Sequence, residues 1–135
     1  MTYEITRSES EWRAALDPNE FKVLREAATE RPWSGTLLDE HRDGVFRCKA
    51  CDAALFRSTT KFESGSGWPS FYEPVSPDAV ELHVDVSHGM RRTEVLCARC
   101  GSHLGHLFDD APQTPTGDRF CMNSISLKFD SEPAS

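Results

Sequence analysis

VFRCKACDAALF occupies residues 45–56. Two short apolar runs, Val45-Phe46 and Ala54-Leu55-Phe56, lead into and out of a C-x-x-C formed by Cys48 and Cys51. Between two strands, such a turn is a zinc knuckle, with backbone N–H groups supporting the thiolates. The motif recurs at Cys97 and Cys100, approached by residues 91–96. Together the pairs predict one tetrahedral Zn2+ held by Cys48, Cys51, Cys97 and Cys100. Two redox dithiols are the alternative. Four protein thiolates leave no open coordination position, so the metal is read as structural. The stretch between Cys51 and Cys97 is longer than in a simple zinc ribbon and has room for several strands.

The rest of the pattern is mainly β with short helices in front. Ser8-Glu9-Ser10-Glu11 is a capping box, followed by Trp12 and Leu16 at helical spacing. Asp17-Pro18-Asn19-Glu20 starts a second helix, predicted over 18–29 from Phe21, Leu24 and Ala28 and ended by Pro32 and Gly35. Residues 62–77, with Trp68, Phe71 and Tyr72, read as a long ordered loop. Val80, Leu82, Val84 and Val86 alternate with Glu81, His83 and Asp85 and predict a half-buried strand. Ser87-His88-Gly89 is the hairpin turn after it, and residues 111–118 are a polar loop. Ile125, Leu127 and Phe129 alternate again and predict a final strand, with a frayed tail from about 130. The expectation is one domain over 1–135, helical from about 8 to 30 and β from about 44 to 129.

The chain has 135 residues and a formal net charge of −7. That balance argues against phosphate-rich nucleic acid and against an anionic membrane surface. The polar start MTYEITRSESEW lacks the pattern of a signal peptide, and no apolar run is long enough to span a bilayer. A cytoplasmic location is expected. Such a reducing compartment favours thiolate chemistry over disulfides for the five cysteines.

Four cysteines account for a metal, and Cys121 is left over. In an extended 119–129 segment, Arg119, Cys121, Asn123, Ile125, Leu127 and Phe129 share one face. The second half of that face is core. The polar first half therefore lines a cavity at the end of the core, and an inward Arg119 favours the thiolate of Cys121. The other reading is a buried cysteine packing as a small hydrophobe. His103 and His106 stand three apart around Gly105, where a kink could bring both to one site as proton donors. They read otherwise as core histidines or, less well, as extra metal ligands. His41, His83 and His88 lie in polar or turn contexts and read as solvated.

Four features stand together: the two C-x-x-C pairs, GSGWPSF (65–71), CGSHLGHLFDD (100–110) and RFCMNS (119–124). In this combination the chain closely resembles the peptide-methionine (R)-S-oxide reductases, the MsrB family, over about residues 17–129. The resemblance implies a small β-rich, zinc-clamped domain of two antiparallel sheets, β-tent-like, with short N-terminal helices. It implies Cys121 as the nucleophile that attacks the sulfoxide sulfur. His103 and His106 would bind and protonate the oxygen, Arg119 and Asn123 would assist the cysteine, and Trp68 would receive the S-methyl group. The substrate implied is methionine-R-sulfoxide, chiefly in proteins, and the enzyme is expected to act as a monomer. Many members carry a resolving cysteine in the stretch equivalent to GSGWPSF, where this chain has Ser66. That departure predicts reduction of the Cys121 sulfenic acid by an external thiol: thioredoxin, a glutaredoxin-like protein or a low-molecular-weight thiol. A smaller departure is Asp110-Ala111-Pro112, where Asp-Gly-Pro is common. The competing reading is a non-enzymatic ligand-binding module on the same scaffold, Yippee-like or cereblon-like. Such a module has no need of a cysteine between Arg119 and Asn123.

Overall fold

The two predicted caps open two helices, α1 (Glu9–Ala15) and α2 (Pro18–Glu26), in a computed structural model that describes residues 3–131 and, at His88, only the backbone. Ser8 and Glu11 exchange backbone and side-chain hydrogen bonds at the start of α1, and Asp17 and Glu20 do the same at α2. The second helix stops earlier than the predicted residue 29. Ala27 adopts a left-handed conformation (φ 58°), and Ala28 N–H donates back to Lys22 O at 2.9 Å. The left-handed residue folds the chain back onto the Lys22 carbonyl and ends the helix well before Pro32. Phe21, Val23 and Leu24 are the buried residues of α2, which packs on the β part of the molecule.

Two antiparallel sheets make up that part. The strands are β1 (Gly44–Cys48), β2 (Ala54–Arg57), β3 (Lys61–Phe62), β4 (Ser70–Phe71), β5 (Val80–Asp85), β6 (Arg92–Cys97), β7 (His103–Phe108), β8 (Arg119–Met122) and β9 (Leu127–Ser131). The smaller sheet has the order β2-β1-β9 and the larger β3-β4-β8-β7-β6-β5. Phe46 and Phe56 of the first sheet meet Phe71 and Phe120 of the second, with Phe56 stacked on Phe71 at 4.5 Å between centroids. These buried rings join the sheets through apolar area and preferred aromatic geometry.

The cysteine knuckles join them a second time. One lies between β1 and β2, the other between β6 and β7. Each closes in the same way: the residue after the second cysteine takes a left-handed conformation, Asp52 (φ 71°) or Gly101 (φ 77°), and its N–H donates to the first cysteine's carbonyl at 2.8 Å. A side chain at 101 would also run into the Tyr3 ring.

Three expectations need correction. The stretch 62–77 is not all loop: it contains β4, which is inserted between β3 and β8. The segment 119–129, supposed extended in placing Arg119, Cys121 and Asn123 on one face, is not one strand. A 3-10 turn at Ser124–Ser126 carries the chain from β8 in the large sheet to β9 in the small one. That turn is held by Ser126 Oγ–H to His103 O (3.0 Å) and by Ile125 N–H to Glu30 Oε1 (2.9 Å). Finally, β5 alternates as predicted but turns its apolar side outward. Leu82, Val84 and Val86 are 51%, 61% and 68% exposed, because β5 ends the large sheet and its polar side faces the histidines described below. β9 runs to Ser131; the rest of the expected frayed tail lies outside the described residues.

Candidate active site

Cys121 lies on β8 between two strands, with Ser70 of β4 as its register partner on one side and His106 of β7 on the other. Side chains directly opposite across neighbouring strands share a face, with Cβ atoms about 4.5–5.5 Å apart. A cleft of about 170 Å³ opens here, lined among others by Trp68, Arg92, His106, Arg119, Cys121 and Asn123. Arg119, Cys121 and Asn123 thus reach one cavity although the strand behind them ends at Met122.

Burial pushes the Cys121 thiol above its ordinary pKa. The positive charge of Arg119 and a contact from Ser66 Oγ, 4.0 Å from Sγ, pull the other way. The expectation that Arg119 favours the thiolate holds in sign, but desolvation outweighs it. Arg119 is also shared: its Nε and Nη2 donate to Asp110 at 2.9 and 3.0 Å, and its guanidinium lies 4.4 Å from the Phe108 centroid.

A β-bulge brings the two histidines together. In the β6–β7 ladder Val95 pairs with Gly105 and Leu96 with His103, so Leu104 is an extra residue. His103 and His106 then meet edge to face, ring centroids 5.4 Å apart. Gly105 has ordinary negative φ; it serves close approach, since a Cβ there would collide with the backbone of Cys121. The expected kink is therefore a bulge at 104. His103 is buried and stands beside His106, outside the cleft lining. Burial depresses its pKa, against the opposing effect of Glu94, whose Oε2 lies 2.7 Å from Nδ1. Its Nε2 is buried with no hydrogen-bond partner among the described residues. His106 Nε2 lies 2.8 Å from Asp85 Oδ2. Hydrogen bonds from Ser87 and His106 hold the Asp85 carboxyl far below the usual carboxylate range.

Asn123 lines the cleft, yet its amide is spent on structure. Nδ2–H donates to Leu104 O at 3.1 Å, and Oδ1 accepts from Glu30 N at 3.0 Å. Glu30 O in turn accepts from Trp68 Nε1 at 3.0 Å. One buried residue after α2 thus ties the aromatic wall to the end of β8. Sequence reasoning passed over Glu30, Asp85, Arg92 and Glu94. The acids on β5 and β6 look like an ordinary solvated face until the register puts them beside His106 and His103. His41 and His83 pair with Glu63 and Glu81 and are exposed, as read; the His88 side chain lies outside the described residues.

Away from the cleft, the Sγ atoms of Cys48, Cys51, Cys97 and Cys100 all lie within 4.8 Å of one another, with 3.8 Å between Cys48 and Cys100 and 3.6 Å between Cys51 and Cys97. A tetrahedral zinc with Zn–S of about 2.3 Å requires S···S of roughly 3.8 Å. The four cysteines therefore fit zinc. No helix among the described residues is long and apolar enough to cross a membrane.

Residues 16–131 match the profile of the SelR domain. A peptide methionine sulfoxide reductase MsrB of Leifsonia xyli subsp. xyli is 63% identical over 130 residues, covering 96% of this chain and 94% of that protein. The protein of the same name from Methanosarcina mazei is 54% identical over 129 residues, covering 96% and 91%. Among solved structures, the Mis18 'Yippee-like' domain superposes with a TM-score of 0.55 at 18% identity, covering 69% of this chain and all of that one. That likeness is one of fold alone.

Proposed function

This chain belongs to the SelR-domain family and is a peptide methionine sulfoxide reductase, and on that footing we propose that it reduces the R epimer of methionine sulfoxide, chiefly in oxidised proteins, through Cys121. The observation that carries the proposal is the seat of Cys121: inside the cleft, register partner of His106, with Trp68 in the same wall.

The Cys121 sulfur attacks the sulfoxide sulfur while a histidine protonates the oxygen. Without that proton the departing oxygen would carry the charge alone; a positioned acid is worth about 10²–10⁴ in rate. The oxygen passes to Cys121. Methionine sulfur gains two electrons, and Cys121 loses two to become a sulfenic acid. Trp68 offers an apolar face to the S-methyl group, with its indole fixed on Glu30 O. Ser66 is no thiol, and the four other cysteines form the group that fits a metal ion. Two external thiols then finish the cycle: the first displaces water to form a mixed disulfide, and the second releases the disulfide and frees Cys121. Thioredoxin, a glutaredoxin-like protein or a low-molecular-weight thiol fits this role.

Zinc held by Cys48, Cys51, Cys97 and Cys100 would supply structure by clamping the two sheets. We place the enzyme in a reducing cytoplasm, as a monomeric one-domain protein that repairs oxidative damage to methionine. The deciding assay is reduction of each sulfoxide epimer with dithiothreitol by wild type and Cys121→Ser. Turnover of the R epimer that is lost in Cys121→Ser is expected. Turnover of the S epimer alone, or activity that survives the substitution, overturns the reading.

A further inference from the structure

Two carboxylates, neither of them in the cysteine or histidine motifs, each grip one histidine. Asp85 closes β5 and Glu94 sits on β6 directly opposite His106 in register. We infer that Asp85 is a positioning residue: it locks His106 in the Nε2–H tautomer, so that Nδ1 is the nitrogen left to carry a proton between Cys121 and the sulfoxide oxygen. The inference rests on the reading of Cys121 as nucleophile.

The donor inventory decides the tautomer. Asp85 accepts from Ser87 N–H at Oδ1 (2.9 Å) and lies 3.4 Å from Arg92 Nη2 at Oδ2. With those donors the carboxylate stays ionised and can only accept. The bond of 2.8 Å to His106 Nε2 therefore has the imidazole as donor. Neutral His106 keeps its lone pair on Nδ1. At His103 the logic runs in reverse. Glu94 Oε2 faces Nδ1 at 2.7 Å, so Nδ1 carries the hydrogen and the buried Nε2 carries the lone pair. The two rings, 5.4 Å apart, are held in opposite tautomers by two acids. Desolvation of His103 favours its neutral form. His106 lines the cleft, with the Asp85 carboxylate behind its Nε2.

This arrangement is a nucleophile, a base and an orienting acid in the order Cys121, His106, Asp85. The proton balance closes within it. Nδ1 takes the proton of the Cys121 thiol and leaves a thiolate–imidazolium pair. As the sulfur attacks, the same proton passes from Nδ1 to the sulfoxide oxygen, and the product is the sulfenic acid with neutral His106. Asp85 keeps its charge throughout. This proton path also suits a thiol whose burial keeps it protonated.

The experiment is Asp85→Asn. Asn retains an oxygen for Ser87 N–H, so the turn survives, while its NH2 must donate to Nε2 and drive the hydrogen to Nδ1. Long-range 15N–1H spectra of His106 are expected to show Nε2–H in wild type and Nδ1–H in Asp85→Asn. The kcat is expected to fall about a hundredfold or more with KM little changed, the effect of a wrong tautomer. Asp85→Glu restores the Nε2–H signal and part of kcat. Metal content and Tm serve as the folding controls, and because Asp85→Glu keeps a carboxylate, it judges the lock if the Asn variant misfolds. Nε2–H persisting in Asp85→Asn, Nδ1–H in Asp85→Glu, or kcat within twofold of wild type in Asp85→Asn overturns the inference. The spectra need no substrate, so a wild type that reduces neither epimer defeats the proposed function while the tautomer lock is still judged by itself.

Discussion

Ser66 Oγ stands 4.0 Å from Cys121 Sγ and 2.8 Å from Ser64 Oγ, which in turn lies 2.8 Å from Ser70 Oγ. Hydroxyls, not a thiol, thus stand beside the proposed nucleophile. Ser66 is flanked by Gly65 (φ 74°) and Gly67 (φ 92°), left-handed positions that suit glycine. Ser66→Cys is expected to convert the cycle. After one turnover without reductant, mass spectrometry should find a disulfide between the introduced thiol and Cys121, formed by loss of water from the sulfenic acid. Wild type should instead hold a sulfenic acid that dimedone traps. An intramolecular disulfide in wild type would contradict the external-thiol cycle.

Because burial raises the Cys121 pKa, its alkylation by iodoacetamide at pH 7 should be slower than that of a free cysteine. The midpoint of the rate profile should lie above the ordinary thiol value of about 8.5. Arg119→Met removes an opposing positive charge and should move that midpoint higher. The sign for stability follows. The folded state keeps a proton that the unfolded chain gives up, so this group's contribution is full below the unfolded pKa and is lost as pH rises through the folded one. A midpoint below that of free cysteine would refute the desolvation argument.

Cys48 is fully buried at the junction of the two sheets. Cys48→Ser should lose zinc and, with it, several kcal/mol, lowering Tm by roughly 10 °C or more. Cys121→Ser should keep both metal and Tm. Equal zinc by elemental analysis in wild type and Cys48→Ser would count against the four-thiolate site.

Gly105→Ala removes no chemical group, yet its Cβ has no room against the backbone of Cys121. Parting β7 from β8 should cost about 1–3 kcal/mol or more. It should also depress kcat by displacing Cys121 from His106. Urea unfolding and steady-state kinetics of the same preparation would check both, and wild-type values in each would show that the strands tolerate the methyl.

Local signals were legible in the chain. Both capping boxes, both knuckles and the alternation of β5 depend on neighbours a few residues away, and each formed at its expected place. Arg119, Cys121 and Asn123 were legible as one face because side chains alternate over even a four-residue strand. Which side of β5 is covered was not legible. The alternation of Leu82, Val84 and Val86 is the same whether a layer packs on it or, as here at the edge strand, solvent does. The switch of sheets at Ser124–Ser126 was hidden for a similar reason, since Ile125, Leu127 and Phe129 keep period two through it.

The sequence by itself determined the chemistry on offer: four thiolates paired for a metal, one cysteine left over, two histidines, and a serine at position 66. Only the tertiary structure decided how those groups are set to work. A one-residue bulge between β6 and β7 turns both histidines to one side, and the pairing of β5 with β6 and of β6 with β7 sets Asp85 and Glu94 beside them. Residue type and spacing carry no record of a partner that arrives from another strand. Register and burial arise only when the sheet closes, and they select which nitrogen holds the proton.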